Sequence, residues 1–148
     1  MRWHGFAAAC PEIATLAEDR FRTDQLLLVG TIRKDGSARI SPNEVDFAAG
    51  ELFFGMMWQS RKALDLARDP RCVLHSVPSD KDNPGGDVKL YGTAVDVWDP
   101  ALARGTGTRS VHGSIGPPRS PISTVSRWTS SVRATSQGGD LTILPADA

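Results

Sequence analysis

Leu26-Leu-Leu-Val-Gly-Thr-Ile-Arg-Lys-Asp-Gly-Ser-Ala-Arg-Ile-Ser-Pro42 decides the fold. Leu26 to Arg33 is an apolar run of strand length, bounded by polar residues. Lys34-Asp35-Gly36-Ser37 is a hairpin turn, because Asp-Gly supplies the positive-φ positions that tight turns need. Ala38 to Phe47 is the returning strand. Its interior Pro42 cannot donate to a ladder, so a bulge or an edge is expected there. A tight hairpin makes its two strands antiparallel.

The neighbouring segments extend the pattern. Upstream, Pro11 to Gln25 reads as a helix, with Pro11 in the first turn and Ile13, Leu16, Ala17 and Phe21 at helical spacing. Downstream, Ala49-Gly50 turns the chain into a third strand, Leu52 to Met57. A helix over Ser60 to Ala67 stops before Pro70. Arg71 to Val77 is a fourth strand, Ser79 to Gly86 a polar loop, and Val88 to Val97 an alternating fifth strand. Consecutive hairpins with apolar strands predict a small antiparallel sheet that closes on itself to remove its edges. The expected class is mainly β, with few helices.

The start of the second helix carries the chemistry. Ser60, Arg61 and Lys62 fall where backbone N–H groups are unpaired and the helix dipole is positive. A hydroxyl, a guanidinium and an ammonium at that position suit a phosphate. Ser60 also suits an N-cap, and Arg61 and Lys62 also suit a solvated helix face. Asp65 and Asp69 have Arg68 and Arg71 within pairing distance along the chain, and Arg39 has Asp35 nearby. His75, in an apolar strand, reads as a satisfied core or interface histidine. Trp58 reads as a buried aromatic or a stacking platform.

The totals exclude several classes. The chain of 148 residues is long enough for one core. Lys plus Arg equals Asp plus Glu at 17 each, which gives no electrostatic footprint for nucleic acid. No apolar run reaches membrane-spanning length, and Met1-Arg-Trp-His-Gly5 lacks the apolar core of a signal peptide, so a cytoplasmic protein without a membrane partner is expected. Cys10 and Cys72 are too few for a disulfide framework or a zinc site and are expected to be free thiols; no metal site is read.

Residues 101–148 differ in composition. They are rich in Ser, Thr, Gly, Pro and Arg, with Asp140 and Asp147 as their only acids and no Lys, Phe or Tyr. Such a composition offers little apolar area to offset the entropy of ordering. The chain is therefore divided into a patterned part, 1–100, and an atypical tail, 101–148.

The patterned part resembles the pyridoxamine 5'-phosphate oxidase-like family, the flavin- and deazaflavin-binding split barrels, in its short general bacterial branch. Trp3 to Ala14 is similar to that branch's first amphipathic helix, and Gly30 to Pro42 to its first hairpin. Ser60 to His75 is similar to its phosphate-side helix and the next strand, and Gly86 to Val95 to its fifth strand. The resemblance implies a six-stranded antiparallel Greek-key split barrel and a homodimer with the cofactor at its interface. The implied cofactor is FMN, or alternatively the deazaflavin coenzyme F-420. Carried over by position, the phosphate would meet Arg39, Ser41, Ser60, Arg61 and Lys62. Backbone at Thr31 and Pro42 would line the ring, and Met57, Trp58 and Gln59 would border the ring or its chain.

The implied activity is that of an oxidoreductase passing hydride to a small organic substrate. A flavin-binding protein without turnover, or an inactive remnant with an incomplete barrel, is the alternative. The motifs hold no strong acid–base residue, and Tyr91 and His75 are the candidate proton donors. Family members close the barrel with an aromatic-rich strand after the fifth, of the type Phe-His-x-Phe-x-hydrophobic-Asp-Ile. Patterning finds none in 101–148, where Leu141-Thr-Ile-Leu144 is the nearest apolar run. One reading makes the tail an ordinary flexible or divergent one. The other makes it a shifted-frame product, since Ile122 to Gln137, back-translated with chosen codons, spells Phe-His-Cys-Phe-Ala-Leu-Asp-Ile in another frame.

Overall fold

The computed structural model describes residues 1–57, 59–78, 86–97 and 124–135, the last as backbone only. Three helices and six strands occur in the order α1 (Trp3–Ala9), α2 (Pro11–Asp24), β1 (Leu26–Ile32), β2 (Ala38–Ala48), β3 (Glu51–Met56), α3 (Arg61–Arg68), β4 (Arg71–Ser76), β5 (Lys89–Val97) and β6 (Thr124–Thr135). The strands form a closed barrel in the spatial order β1-β2-β3-β6-β5-β4, antiparallel at every junction. The expected mainly β split-barrel class holds.

The β1–β2 hairpin forms as its turn chemistry requires. Gly36 takes φ +84°, a left-handed value, and Asp35 caps the turn by accepting from the Ser37 backbone and hydroxyl. Pro42 stands opposite Leu28 in unbroken register. No bulge is needed, because β2 pairs with β3 only from Glu44 onward. At Pro42 the strand is bonded on one side alone, which makes it a local edge.

The helix read over Pro11 to Gln25 forms as α2, while the Trp3 to Ala14 segment that the resemblance made one helix is split in two. Cys10 adopts a non-helical backbone at the junction, and Pro11 starts α2 afresh. Inward-facing side chains explain why both helices stay on the barrel. Trp3, Phe6, Ile13, Ala14, Ala17 and Phe21 join Leu27, Val29, Leu52, Phe54, Leu74, Val88 and Leu90 in one core. Phe47 extends that core, with its ring centroid 5.0 Å from Trp3 and 6.3 Å from Phe21. Cys10 and Cys72 are buried and free, as expected. Burial pushes the Cys72 thiol up to about 12, which disfavours its thiolate form.

The main departure lies in β6. Composition assigned no strand to residues 101–148, yet Thr124–Thr135 pairs with β3 on one side and β5 on the other. The segment is Thr-Val-Ser-Arg-Trp-Thr-Ser-Ser-Val-Arg-Ala-Thr, in which β-branched and aromatic residues recur. Such residues suit a pleated surface, and two flanking edges supply its hydrogen bonds. The open edge expected of a five-stranded barrel is covered. Residues 98–123 and 136–148 lie outside the described residues.

Candidate functional site

Helix α3 packs across β1 and carries the site. Ser60 is its N-cap: the Oγ accepts from the Ala63 N–H at 3.3 Å. Gln59 precedes it with φ 56°, turning the chain sharply into the helix. Alternation along β2 turns Arg39, Ser41 and Asn43 toward α3, while Ile40 and Pro42 face outward.

Toward its C-terminal end, α3 meets β1 and β2 through Asp65. This carboxylate is 5% exposed. Its Oδ2 accepts from the Arg39 Nε at 2.6 Å and from the Thr31 hydroxyl at 3.1 Å. Its Oδ1 lies 3.4 Å from the Arg68 Nη1, and Arg68 also donates to the Ile32 carbonyl. Burial alone would raise the carboxyl pKa, but Arg39, Thr31 and Arg68 outweigh it and hold it below the ordinary carboxylate range. The Arg39–Asp35 pairing anticipated from the sequence does not form, because Arg39 is taken by Asp65. The Asp65–Arg68 and Asp69–Arg71 pairs do form, the second at 2.6 Å.

At its N-terminal end, α3 presents Lys62. The ammonium donates to the Pro42 carbonyl at 2.6 Å and to the Asn43 side-chain oxygen. Both acceptors are neutral, and no carboxylate among the described residues pairs with it. Burial lowers the Lys62 pKa, so this is a cation held at a desolvation cost without a counter-charge. Arg61, at the first helical position, is exposed.

The structure therefore ties Lys62 to Pro42 and Asn43 of β2 and Arg39 to Asp65 one helical turn further along α3; Ser60 caps the same helix, and Ser41 lies between Arg39 and Asn43 on β2. Thr31 stands opposite Arg39 in the β1–β2 register and donates to the same Asp65 oxygen. Met57 is 76% exposed and Pro42 faces outward, so neither side chain enters the cluster. Trp58 lies outside the described residues. Sequence reading missed two members. Asn43 carries no motif signal. Asp65 did carry one: it stands one helical turn from Lys62 on the face that meets the barrel.

A second feature lies on the opposite face of the sheet. Register places Ile40, Gly30, Val73 and Tyr91 in one row across β2, β1, β4 and β5, and Pro42, Leu28, His75 and Lys89 in the next. Ile40, at the β2 end of its row, is 72% exposed, a large apolar surface to leave in water. A Cβ at Gly30 would meet the Val73 Cγ1 at 2.5 Å, so only glycine fits beneath Val73 there. His75 is half-buried on this face. Its Nε2 stands 3.0 Å from the Asp87 Oδ2, which the Lys89 ammonium approaches at 3.3 Å.

Comparison with known proteins supplies the fold and no closer kinship. The sequence matches no protein-family model and no curated protein closely. Solved structures do match. A Clostridium acetobutylicum protein related to general stress protein 26, of the pyridoxinephosphate oxidase family, aligns with TM-score 0.68 at 18% identity, over 90% of this chain and 96% of its own. An F420 reductase aligns with TM-score 0.54 at 20% identity, over 80% of this chain and 94% of its own. HutZ, a heme storage protein of Vibrio cholerae, aligns with TM-score 0.60 at 13% identity, over 95% and 99%. At these identities the likeness is one of fold.

Proposed function

We propose that this chain binds a phosphate-bearing flavin or deazaflavin and serves hydride transfer with a small organic substrate. The observation that carries this reading is Lys62. Among the described residues, a partly buried ammonium bonded to neutral oxygens alone, at a helix start capped by Ser60, suits an anion. A phosphate oxygen would supply the missing charge, and the unpaired N–H groups of the first turn would add donors. The fit is one of charge and donor chemistry. Lys62, Ser60, Arg61 and Arg39 would hold the phosphate, with Ser41 between Arg39 and Asn43 on the same side of β2.

The bound group would supply the hydride chemistry. The chain's own part is to fix the phosphate, hold the ring in one orientation and keep water from one side of it. FMN is the first choice and coenzyme F-420 the alternative. Support comes from the site and from a fold shared with a pyridoxinephosphate oxidase family protein and an F420 reductase.

The outer rows support a further part of the reading, a homodimer. Ile40, Val73 and Tyr91, from β2, β4 and β5 with Gly30 of β1 between, form an apolar band that a second copy would cover. Sedimentation of the purified protein tests this, with two chains per particle expected and a monomer against it.

A second reading, binding without turnover, is favoured by one observation. Asp65, the carboxylate nearest the site among the described residues, is fully engaged by Arg39, Thr31 and Arg68 and offers no proton acceptor. The purified protein distinguishes the cases. Flavin absorbance in the preparation supports FMN, and quenching of added deazaflavin by colourless protein supports F-420. Turnover of bound cofactor with an added reductant separates enzyme from binder. Binding of neither cofactor would overturn the proposal.

A further inference from the structure

Asp65 grips Arg39 in a particular way. The contact is to Nε, on the inner edge of the guanidinium. The two terminal nitrogens make no hydrogen bond with a described residue, and the side chain is 23% exposed. An arginine fork binds an oxyanion through two parallel N–H groups, and fixing its orientation beforehand removes the rotamer cost at the moment of binding. Asp65 is itself fixed, since Thr31 anchors the same oxygen and Arg68 the other. It lies one helical turn from Lys62, on the helix that also carries the Ser60 cap.

We infer that Asp65 is a positioning residue for anion recognition: it holds Arg39 by Nε so that the terminal guanidinium nitrogens are presented, preformed, to the phosphate received at the Lys62 end of α3. This inference rests on the phosphate reading above. A purely structural tie would stabilise the barrel and affect all ligands alike. A positioning role acts on the phosphate alone.

The test compares FMN with riboflavin, which has the same ring and no phosphate. Dissociation constants for both are measured by flavin fluorescence on the full chain, for wild type, Asp65→Asn, Arg39→Ala and the double variant. Wild type is expected to prefer FMN. Asp65→Asn, which keeps the shape and removes the charge, is expected to reduce that preference by about tenfold with riboflavin affinity unchanged. In the Arg39→Ala background, Asp65→Asn should change the preference no further. If Asp65→Asn does not fold, Thr31→Val, which removes only the hydroxyl anchoring Oδ2, should shift the preference in the same direction by a smaller factor. A wild-type preference for FMN that survives unchanged in Asp65→Asn, or in Thr31→Val where that variant stands in, overturns the inference and leaves the phosphate reading standing. A wild type with no preference overturns the phosphate reading and this inference together.

Discussion

The two ends of helix α3 are built on opposite electrostatic plans. At the C-terminal end, one buried carboxylate is shared by two guanidiniums and a hydroxyl. At the N-terminal end, one half-buried ammonium meets a carbonyl and an amide oxygen, with no carboxylate paired to it among the described residues. Both ends desolvate a charged group. The first recovers that cost from opposite charge within the fold; the second meets neutral acceptors alone among the described residues. On the proposed reading, the carboxylate cluster ties the fold and positions Arg39, and the ammonium beside it receives the phosphate.

The contrast breaks most visibly at Asp65. Asp65→Ala leaves Arg39 and Thr31 without their shared acceptor and should lower unfolding stability by about 3 kcal/mol, read by denaturant titration. A loss below about 1 kcal/mol would mean that the cluster is not the structural tie described. Lys62→Ala should do the reverse. Stability should stay within about 0.5 kcal/mol of wild type, while FMN affinity falls by roughly 1.5–3 kcal/mol. Calorimetry and thermal melts on one preparation give both values. Unchanged affinity would remove Lys62 from the site.

Ser60→Ala sharpens the comparison at a smaller scale, by removing the cap bond to Ala63 and costing about 1 kcal/mol of stability. An added loss of FMN affinity beyond that of riboflavin would show that the hydroxyl also serves the phosphate.

Titration separates the two ends in opposite directions. The Asp65 carboxyl is depressed in the folded chain, so its contribution is present above the ordinary carboxylate pKa of about 3.9 and is lost as pH falls through the lower folded value. Asp65→Asn should therefore flatten part of the acid limb of a stability profile. The Lys62 pKa is lowered, so the unfolded chain holds that proton more tightly. Stability of the ligand-free protein should then rise slightly as pH climbs from the lowered folded value toward the ordinary lysine value of about 10.4. Anion affinity should move the other way over the same window, falling as Lys62 loses its charge. Lys62→Arg, which stays charged, should abolish that fall.

The barrel from Leu26 to Val97 was legible because hairpin turns and strand alternation are local signals. Asp35-Gly36 fixed the first hairpin, and Pro42 announced a local edge. β6 was not legible. Its apolar residues Val125, Trp128 and Val132 recur at helical spacing and not at every second position, so the strand shows no clean alternation. Its pairing comes instead from the edges of β3 and β5. Whether a shifted frame explains its divergence from an aromatic-rich closing strand is a question for the gene. A nucleotide sequence without such a strand in either alternate frame would sink that idea.

Within the site, Ser60 and Lys62 were legible from their place at a helix start. The partners of Arg39 were not. Thr31, Arg39 and Asp65 are brought together from β1, β2 and α3, and the Arg39–Asp65 contact spans 26 residues of sequence. Helical spacing alone shows the local Arg68 pair and no other.

The most direct test of the central claim is a crystal structure of the protein grown with FMN. Phosphate oxygens should lie within about 3 Å of the Lys62 Nζ and the Ser60 Oγ, with Arg39 still bonded through Nε to Asp65. A phosphate bound elsewhere, with Lys62 still held by Pro42 and Asn43 alone, would contradict it.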